Sequence, residues 1–171
     1  MADHQLRTIE TNGIRVRTAE QGEGPLVLLL HGFPESWYSW RHQLPALAEA
    51  GFHVVAPDLR GYGGSDAPPE IEDYNVLQLT ADAVGIVDAL GEQTAVVVGH
   101  DWGAGVAWQS ALLHPDRFRA VASLSVPYGG RAPRPRLEQT KEAFGDNFFY
   151  QLYFQEPGVA EGEFDADPVA C

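Results

Sequence analysis

The segment Val98-Gly99-His100-Asp101-Trp102-Gly103 has the residue types and spacing best suited to covalent chemistry. Thr94–Val98 before it reads as a buried strand. Ala104–His114 after it reads as a helix that stops ahead of Pro115, because a residue preceding proline avoids the α region. Glycines flank Asp101 two positions away on either side. That is the spacing of a nucleophile elbow, a sharp strand-to-helix turn that pushes one side chain into a pocket. A serine at the centre would serve acyl transfer. A carboxylate instead suits attack on an sp³ carbon bearing a leaving group, with an ester as the intermediate. Amides at the start of a helix also favour the ionised carboxylate. The plainer alternative is an aspartate that merely caps the helix. The paired glycines in a strand-to-helix context favour the elbow.

A second segment, His31-Gly32-Phe33-Pro34, follows the apolar run Leu26–Leu30. In doubly wound sheets, ligands bind beyond the carboxyl ends of the strands, so this loop is expected to reach the elbow from a neighbouring strand. The backbone N–H groups of Phe33 and Trp102 then form a candidate oxyanion hole. Such donors stabilise the tetrahedral oxyanion when water cleaves an ester, and losing one costs about 10²–10³ in rate. His31 is expected to be a turn residue rather than a base. His100, beside the elbow, points away from the site if the turn is sharp and is not assigned as a base. Pro34 and Trp37 are the expected substrate-binding residues, although Trp37 and Trp40 also suit a core. Asp58 and Arg60 are expected to pin their Gly-rich loop as a pair. Gly61-Tyr62-Gly63-Gly64 lacks the Lys-Ser/Thr of a phosphate loop and does not complete G-x-G-x-x-G, so no cofactor is expected.

The elements that position these residues follow from periodicity. Gln5–Thr11 and Ile14–Glu20 alternate around Asn12-Gly13, the pattern of a hairpin with a two-residue turn. Leu26–Leu30 is a continuous apolar run, as in a strand buried on both faces. Ser36 is a plausible N-cap for a helix carrying Trp37, Trp40, Leu44 and Leu47, with Pro45 as a kink or restart. His53–Ala56 is the next strand. Val76, Leu79, Ala83, Val87 and Leu90 mark an amphipathic helix stopped at Gly91. Arg119–Leu124 is a further strand. Strands and helices thus alternate from Leu26 to Leu124, which gives an α/β fold with a mostly parallel, doubly wound sheet. After Pro127 the character changes to a Gly/Pro/Arg linker, and Glu138–Phe154 carries an aromatic-rich helical signal. The expected domains are therefore a core over 1–128 and a linker with the start of a helical lid over 129–171.

Composition narrows the function further. The 171 residues carry 11 Lys+Arg against 24 Asp+Glu, a net charge of −13. That balance disfavours partners that present phosphates, so no nucleic acid is expected. Leu26–Leu30, the longest aliphatic run, is far short of the roughly 20 residues of a membrane span. Residues 1–13 show no secretory signal, so a cytoplasmic location is the expectation. The single cysteine, Cys171, allows no internal disulfide, and no metal site is expected. Nothing in the sequence specifies an oligomeric state.

His31-Gly32-Phe33-Pro34-Glu35-Ser36-Trp37, Asp58-Leu59-Arg60-Gly61-Tyr62-Gly63-Gly64-Ser65, Gly99-His100-Asp101-Trp102-Gly103 and Tyr150-Gln151-Leu152-Tyr153-Phe154-Gln155-Glu156-Pro157-Gly158 together resemble the soluble epoxide hydrolases of the α/β-hydrolase family. The resemblance spans essentially the whole chain. It implies an α/β-hydrolase fold, an epoxide as small-molecule substrate, Asp101 as nucleophile and the Phe33 and Trp102 amides as oxyanion hole. It implies Tyr150 as hydrogen-bond donor to the epoxide oxygen. Opening the ring releases a strongly basic alkoxide, which a phenol of pKa about 10 can protonate. Tyr153, three residues on, is expected to pack the lid.

The resemblance also implies a second lid tyrosine, a relay acid and a histidine beyond the lid. The six histidines stand at positions 4, 31, 42, 53, 100 and 114, none of them after Tyr150. The expectation is a chain truncated within the lid, which alkylates Asp101 and then stalls for want of a base. Arg119–Leu124 would then form an exposed apolar sheet edge. Two other readings compete. A haloalkane dehalogenase shares the Asp nucleophile, but halide departure needs no donor such as Tyr150. A catalytically inactive remnant would form no adduct at all.

Overall fold

The computed structural model describes residues 4–130 and 132–166, and Cys171 lies outside them. The chain divides into two compact units, one reaching Tyr128 and the other starting at Gly129.

The first unit is built on six strands: β1 (Gln5–Thr11), β2 (Ile14–Gln21), β3 (Leu26–Leu30), β4 (His53–Pro57), β5 (Ala95–His100) and β6 (Phe118–Leu124). They form one sheet in the order β1-β2-β4-β3-β5-β6. β1, β2 and β4 pair antiparallel, while β4, β3, β5 and β6 run parallel. The hairpin turns at Asn12 and Gly13, both at positive φ (45° and 76°). That conformation matches the right-handed twist of the flanking strands and explains the Asn-Gly pair.

The continuous apolar run of β3 has a direct cause, because its two faces feed two different cores. Leu26, Leu28 and Leu30 pack with Val55, Val97, Ile86, Val87, Val106 and Phe118. Val27 and Leu29 pack with Val54, Trp37, Trp40 and Leu44. The first cluster is covered by α2 (Val76–Ala89) and α3 (Trp102–Leu113), and the second by α1 (Gln43–Glu49) and the 3₁₀ turn Trp37–Trp40. The helix expected from Ser36 is thus two pieces. Ser36 caps the 3₁₀ turn by accepting from the Tyr38 N–H, and α1 restarts so that Pro45 falls in its first turn. Proline is tolerated there because those N–H groups have no intrahelical acceptor. α3 starts at Trp102 rather than Ala104, because the turn at Asp101 leads straight into it. β6 lies at the end of the sheet with Ala120, Ala122 and Leu124 exposed.

The second unit contains α4 (Arg136–Phe144), the short α5 (Tyr150–Tyr153) and α6 (Val159–Ala166). The single helical signal over 138–154 is interrupted, because Gly145 adopts φ 53° after α4. Phe144 and Phe149 stack across the break with ring centroids 4.1 Å apart.

Candidate active site

The first unit brings the ends of β3, β4 and β5 together. β5 stops at His100, and Asp101 turns the chain into α3 with φ 52° and ψ −120°. A non-glycine residue at positive φ is uncommon and costs of order 1–3 kcal/mol, so the surroundings must hold it there. They do so by backbone contact. A Cβ at Gly99 would meet the Gly103 carbonyl, and one at Gly103 would meet the Leu30 and His31 carbonyls. A Cβ at Gly32 would lie 2.6 Å from that of Asp101. The glycines flanking Asp101 are therefore required by close packing of α3 against β3 and β5. Gly105, one turn into the helix, meets nothing.

This packing presses the loop after β3 against the elbow. The Phe33 N–H donates to Asp101 Oδ1 at 3.0 Å, across 68 positions of sequence. The Asp101 N–H donates to the Leu124 carbonyl at 3.3 Å, which ties the elbow to the end of β6. Trp102 is the first residue of α3, so its N–H has no intrahelical acceptor. Phe33, Pro34 and Trp102 are exposed and Asp101 is partly so. Trp37, one of the two expected substrate-binding residues, is only 8% exposed and belongs to the second core cluster. Its role here is packing, as for Trp40.

The polar residues around the elbow are each satisfied. Buried His31 accepts from the Leu59 N–H at Nε2 (2.9 Å), so Nδ1 carries the proton and donates to the Gly32 carbonyl at 2.8 Å. Burial pushes its pKa below the usual range. With both ring nitrogens engaged, His31 staples the loop after β3 to the loop after β4 and has no lone pair left for base chemistry. Glu35 accepts from the Gly32 N–H at 3.0 Å, and His100 Nδ1 lies 3.4 Å from its carboxylate. Burial acts to raise the Glu35 pKa, but the Gly32 amide and His100 outweigh it and hold the carboxyl below its ordinary value.

Asp58 and Arg60 do not pair with each other. Asp58 accepts from the Trp37 and Gly64 N–H groups, both at 2.9 Å, and bonds Arg17 at 2.7 Å. Arg60 makes a bidentate pair with Asp82 of α2, at 2.8 and 2.7 Å, to which Asn12 adds a bond at 2.8 Å. Both residues pin the loop, through partners far off in sequence. Tyr62 is a neighbour of the site that its Gly-rich setting had not singled out. Its ring stands edge-on to His31 at 5.0 Å, and burial, then the Asp101 carboxylate, raises its phenol pKa.

Tyr150 belongs to the second unit, half-buried at the start of α5. Its hydroxyl accepts from Gln151 Nε2 at 3.0 Å, and its ring lies 5.2 Å from Phe149 and 5.9 Å from Phe154. Tyr153, the expected packing residue, lies beside Glu163, whose carboxylate pushes its phenol up to about 12. Among the described residues no group of His, Cys, Asp and Glu could hold a metal ion, and no helix is long and apolar enough to cross a membrane.

Residues 25–160 match the family model of the α/β-hydrolase fold. The chain is 58% identical over 164 residues to epoxide hydrolase A of Mycobacterium tuberculosis, a match covering 95% of this chain and 51% of that protein. It is 52% identical over 153 residues to bifunctional epoxide hydrolase 2 of Sus scrofa, covering 90% of this chain and 27% of that one. Among solved structures, epoxide hydrolase A from Mycobacterium thermoresistibile superimposes with a TM-score of 0.93 at 57% identity, over 97% of this chain and 53% of that one. An epoxide hydrolase from Vigna radiata gives a TM-score of 0.91 at 46% identity, over 96% and 54%. The chain thus spans about half the length of these solved epoxide hydrolases, about half of the Mycobacterium tuberculosis protein and about a quarter of the Sus scrofa one. A strained aspartate at a glycine-flanked turn from parallel strand to helix, on a sheet that superimposes this closely, leaves no ambiguity about lineage: the chain belongs to the α/β-hydrolase fold family.

Proposed function

We propose that the chain carries the ester-forming half of an epoxide hydrolase. Asp101 attacks one carbon of the epoxide ring. The C–O bond of that carbon breaks, and the released alkoxide takes a proton from Tyr150, leaving a hydroxyalkyl ester on Asp101. The Phe33 and Trp102 amides then stabilise the oxyanion when water adds to the ester carbonyl. Pro34 and Phe33 border the approach to the carboxylate. In this reading residues 1–128 form the catalytic core, and the segment from 129 onward begins a lid that supplies the proton donor.

The observation that carries the proposal is the Phe33 N–H held 3.0 Å from Asp101 Oδ1, at a positive-φ elbow. The side chain of a helix-capping aspartate would accept from the first N–H groups of its own helix, and the Asp101 carboxylate makes no such bond. The similarity to epoxide hydrolases favours ring opening over halide displacement, and the Tyr150 hydroxyl fits a reaction that must protonate an alkoxide. The second step needs a general base. His31 has no free nitrogen for it, and no histidine follows Tyr150 in the sequence. Slow or absent turnover of the ester is therefore expected from the 171 residues alone.

The test is single-turnover capture. The protein is incubated with an aryl epoxide, digested, and the peptide carrying Asp101 is weighed. An adduct on Asp101 that is absent from Asp101→Asn supports the reading. Folded protein that forms no adduct would favour an inactive remnant, and halide release from a haloalkane would favour the dehalogenase.

A further inference from the structure

We propose that Trp108 is a positioning residue for Asp101, acting through the turn that follows β6. The mechanical link rests only on the fold. Its effect on reaction rate rests on the epoxide hydrolase reading.

Among the described residues, three other than glycine take positive φ: Asn12, Asp101 and Ser125. Asn12 lies in the hairpin turn, where an Asn-Gly pair suits that conformation. Ser125, at φ 71°, has no such reason of its own, because its Cβ crowds the backbone there. It comes immediately after Leu124, whose carbonyl accepts the Asp101 N–H at 3.3 Å. The two strained residues are therefore joined through one peptide group and one hydrogen bond. That peptide group is oriented by ψ of Leu124 and φ of Ser125 together. A return of Ser125 to negative φ, with the chain on either side held, rotates the group and turns the Leu124 carbonyl away from Asp101. Positive φ at Ser125 is thus the condition for an acceptor at the elbow.

A neighbouring side chain holds that conformation. The Val126 carbonyl, one residue on, accepts from the Ser123 hydroxyl and from the Trp108 indole N–H, the latter at 3.2 Å. Trp108 is half-buried on α3, about two turns after Asp101. Its ring lies 5.3 Å from that of Tyr128, so the indole meets the segment after β6 at a second point. A closed circuit results. Asp101 starts α3, α3 carries Trp108, and the indole holds Val126. The turn runs back through Ser125 to Leu124, whose carbonyl holds Asp101.

The experiment measures amide hydrogen exchange of the whole chain in Trp108→Phe, which keeps an aromatic ring and removes the donor. The Asp101 amide should exchange about three- to tenfold faster, the worth of one hydrogen bond, while Val97 in the middle of β5 keeps its rate. Adding Ser125→Gly should bring the Asp101 rate back toward that of the unaltered chain, since glycine takes positive φ without a clamp. Equal acceleration at Asp101 and Val97 with no restoration by glycine would reduce Trp108 to a packing residue and overturn the proposal, as would an unchanged Asp101 rate. Where Trp108→Phe fails to fold, Ser125→Val takes its place. The indole then stays, a β-branched side chain opposes positive φ, and the Asp101 amide should again be the one that exchanges faster. An unchanged Asp101 rate in that variant overturns the proposal equally.

Adduct formation with an aryl epoxide is followed in parallel. At saturating epoxide it should slow by about tenfold in Trp108→Phe with the half-saturating concentration unchanged, because a misplaced nucleophile loses rate and not binding. An unslowed adduct alongside faster Asp101 exchange would overturn the positioning role. Exchange that behaves as described, with no adduct from any variant or from the unaltered chain, upholds the link and counts against the epoxide reading.

Discussion

Asp101 and Tyr150, the two side chains assigned to ring opening, sit in surroundings of opposite kinds. Asp101 is held by backbone. Three glycines bring β3, β5 and α3 into contact around it, the Phe33 N–H donates to its carboxylate, and its own N–H donates to the Leu124 carbonyl. Tyr150 stands on a four-residue helix, in a unit whose one buried residue among those described is Ala160. The proposed nucleophile is therefore preorganised by the same packing that makes the core, whereas the proposed proton donor is placed by ring contacts with Phe149 and Phe154. The lesson is a division of labour: strain is stored where a rigid sheet can sustain it, and the group proposed to donate the proton stands on a lightly packed element.

The largest effects should separate the two regions by chemistry. Asp101→Asn keeps the shape of the elbow, since Asn tolerates positive φ, and should abolish the covalent adduct without lowering the melting temperature. Intact-mass measurement after epoxide treatment checks this. Tyr150→Phe should slow adduct formation by about 10²–10⁴, the usual worth of a positioned acid, and leave stability nearly unchanged. A rate within about twofold of wild type would remove Tyr150 from the mechanism and leave the core acting alone.

Stability should separate the regions in the reverse sense. Arg60 and Asp82 are almost fully buried, so Asp82→Ala leaves a guanidinium without its carboxylate and should cost about 3–5 kcal/mol in urea unfolding. Truncating the exposed Phe148 of the second unit should cost well under 1 kcal/mol in the same measurement. A finer contrast lies within α3. Gly103→Ala drives a methyl into the Leu30 and His31 carbonyls and should cost at least about 1–3 kcal/mol. Gly105→Ala meets open space and should stabilise by roughly 0.5–1 kcal/mol.

Much of this was legible in the sequence, for identifiable reasons. The elbow could be read because its glycines are spaced by the geometry of one local turn. The β3 loop could be read because strand order dictates which loops converge. What escaped was set by contacts between distant positions. Asp58 looked like a partner for nearby Arg60, but Arg17 on β2 reaches it across the sheet, and Arg60 turns instead to α2. Trp37 had two expected roles, and burial between sheet and α1 decided for the core. Tyr62 carried no signal of its own, since its place near Asp101 depends on His31 standing between two loops. The helical signal after 138 hid a break, because stacked Phe144 and Phe149 suit a folded-back chain as well as one helix.

The smallest expected effect concerns how the core holds the loop after β3. Glu35 takes the Gly32 N–H and faces His100, and its carboxyl is held below its ordinary value. The folded state therefore binds this proton less readily than the unfolded chain. The stabilisation is present above the unfolded carboxylate pKa of about 4.3, and it is lost as pH falls through the depressed folded value. Glu35→Gln removes that linkage while keeping an acceptor for the Gly32 amide. Its stability should fall less steeply than that of wild type as the solution is acidified from about pH 5 to pH 3. Identical slopes would mean that Gly32, and with it the Phe33 amide, is positioned by the glycine packing around Asp101 alone.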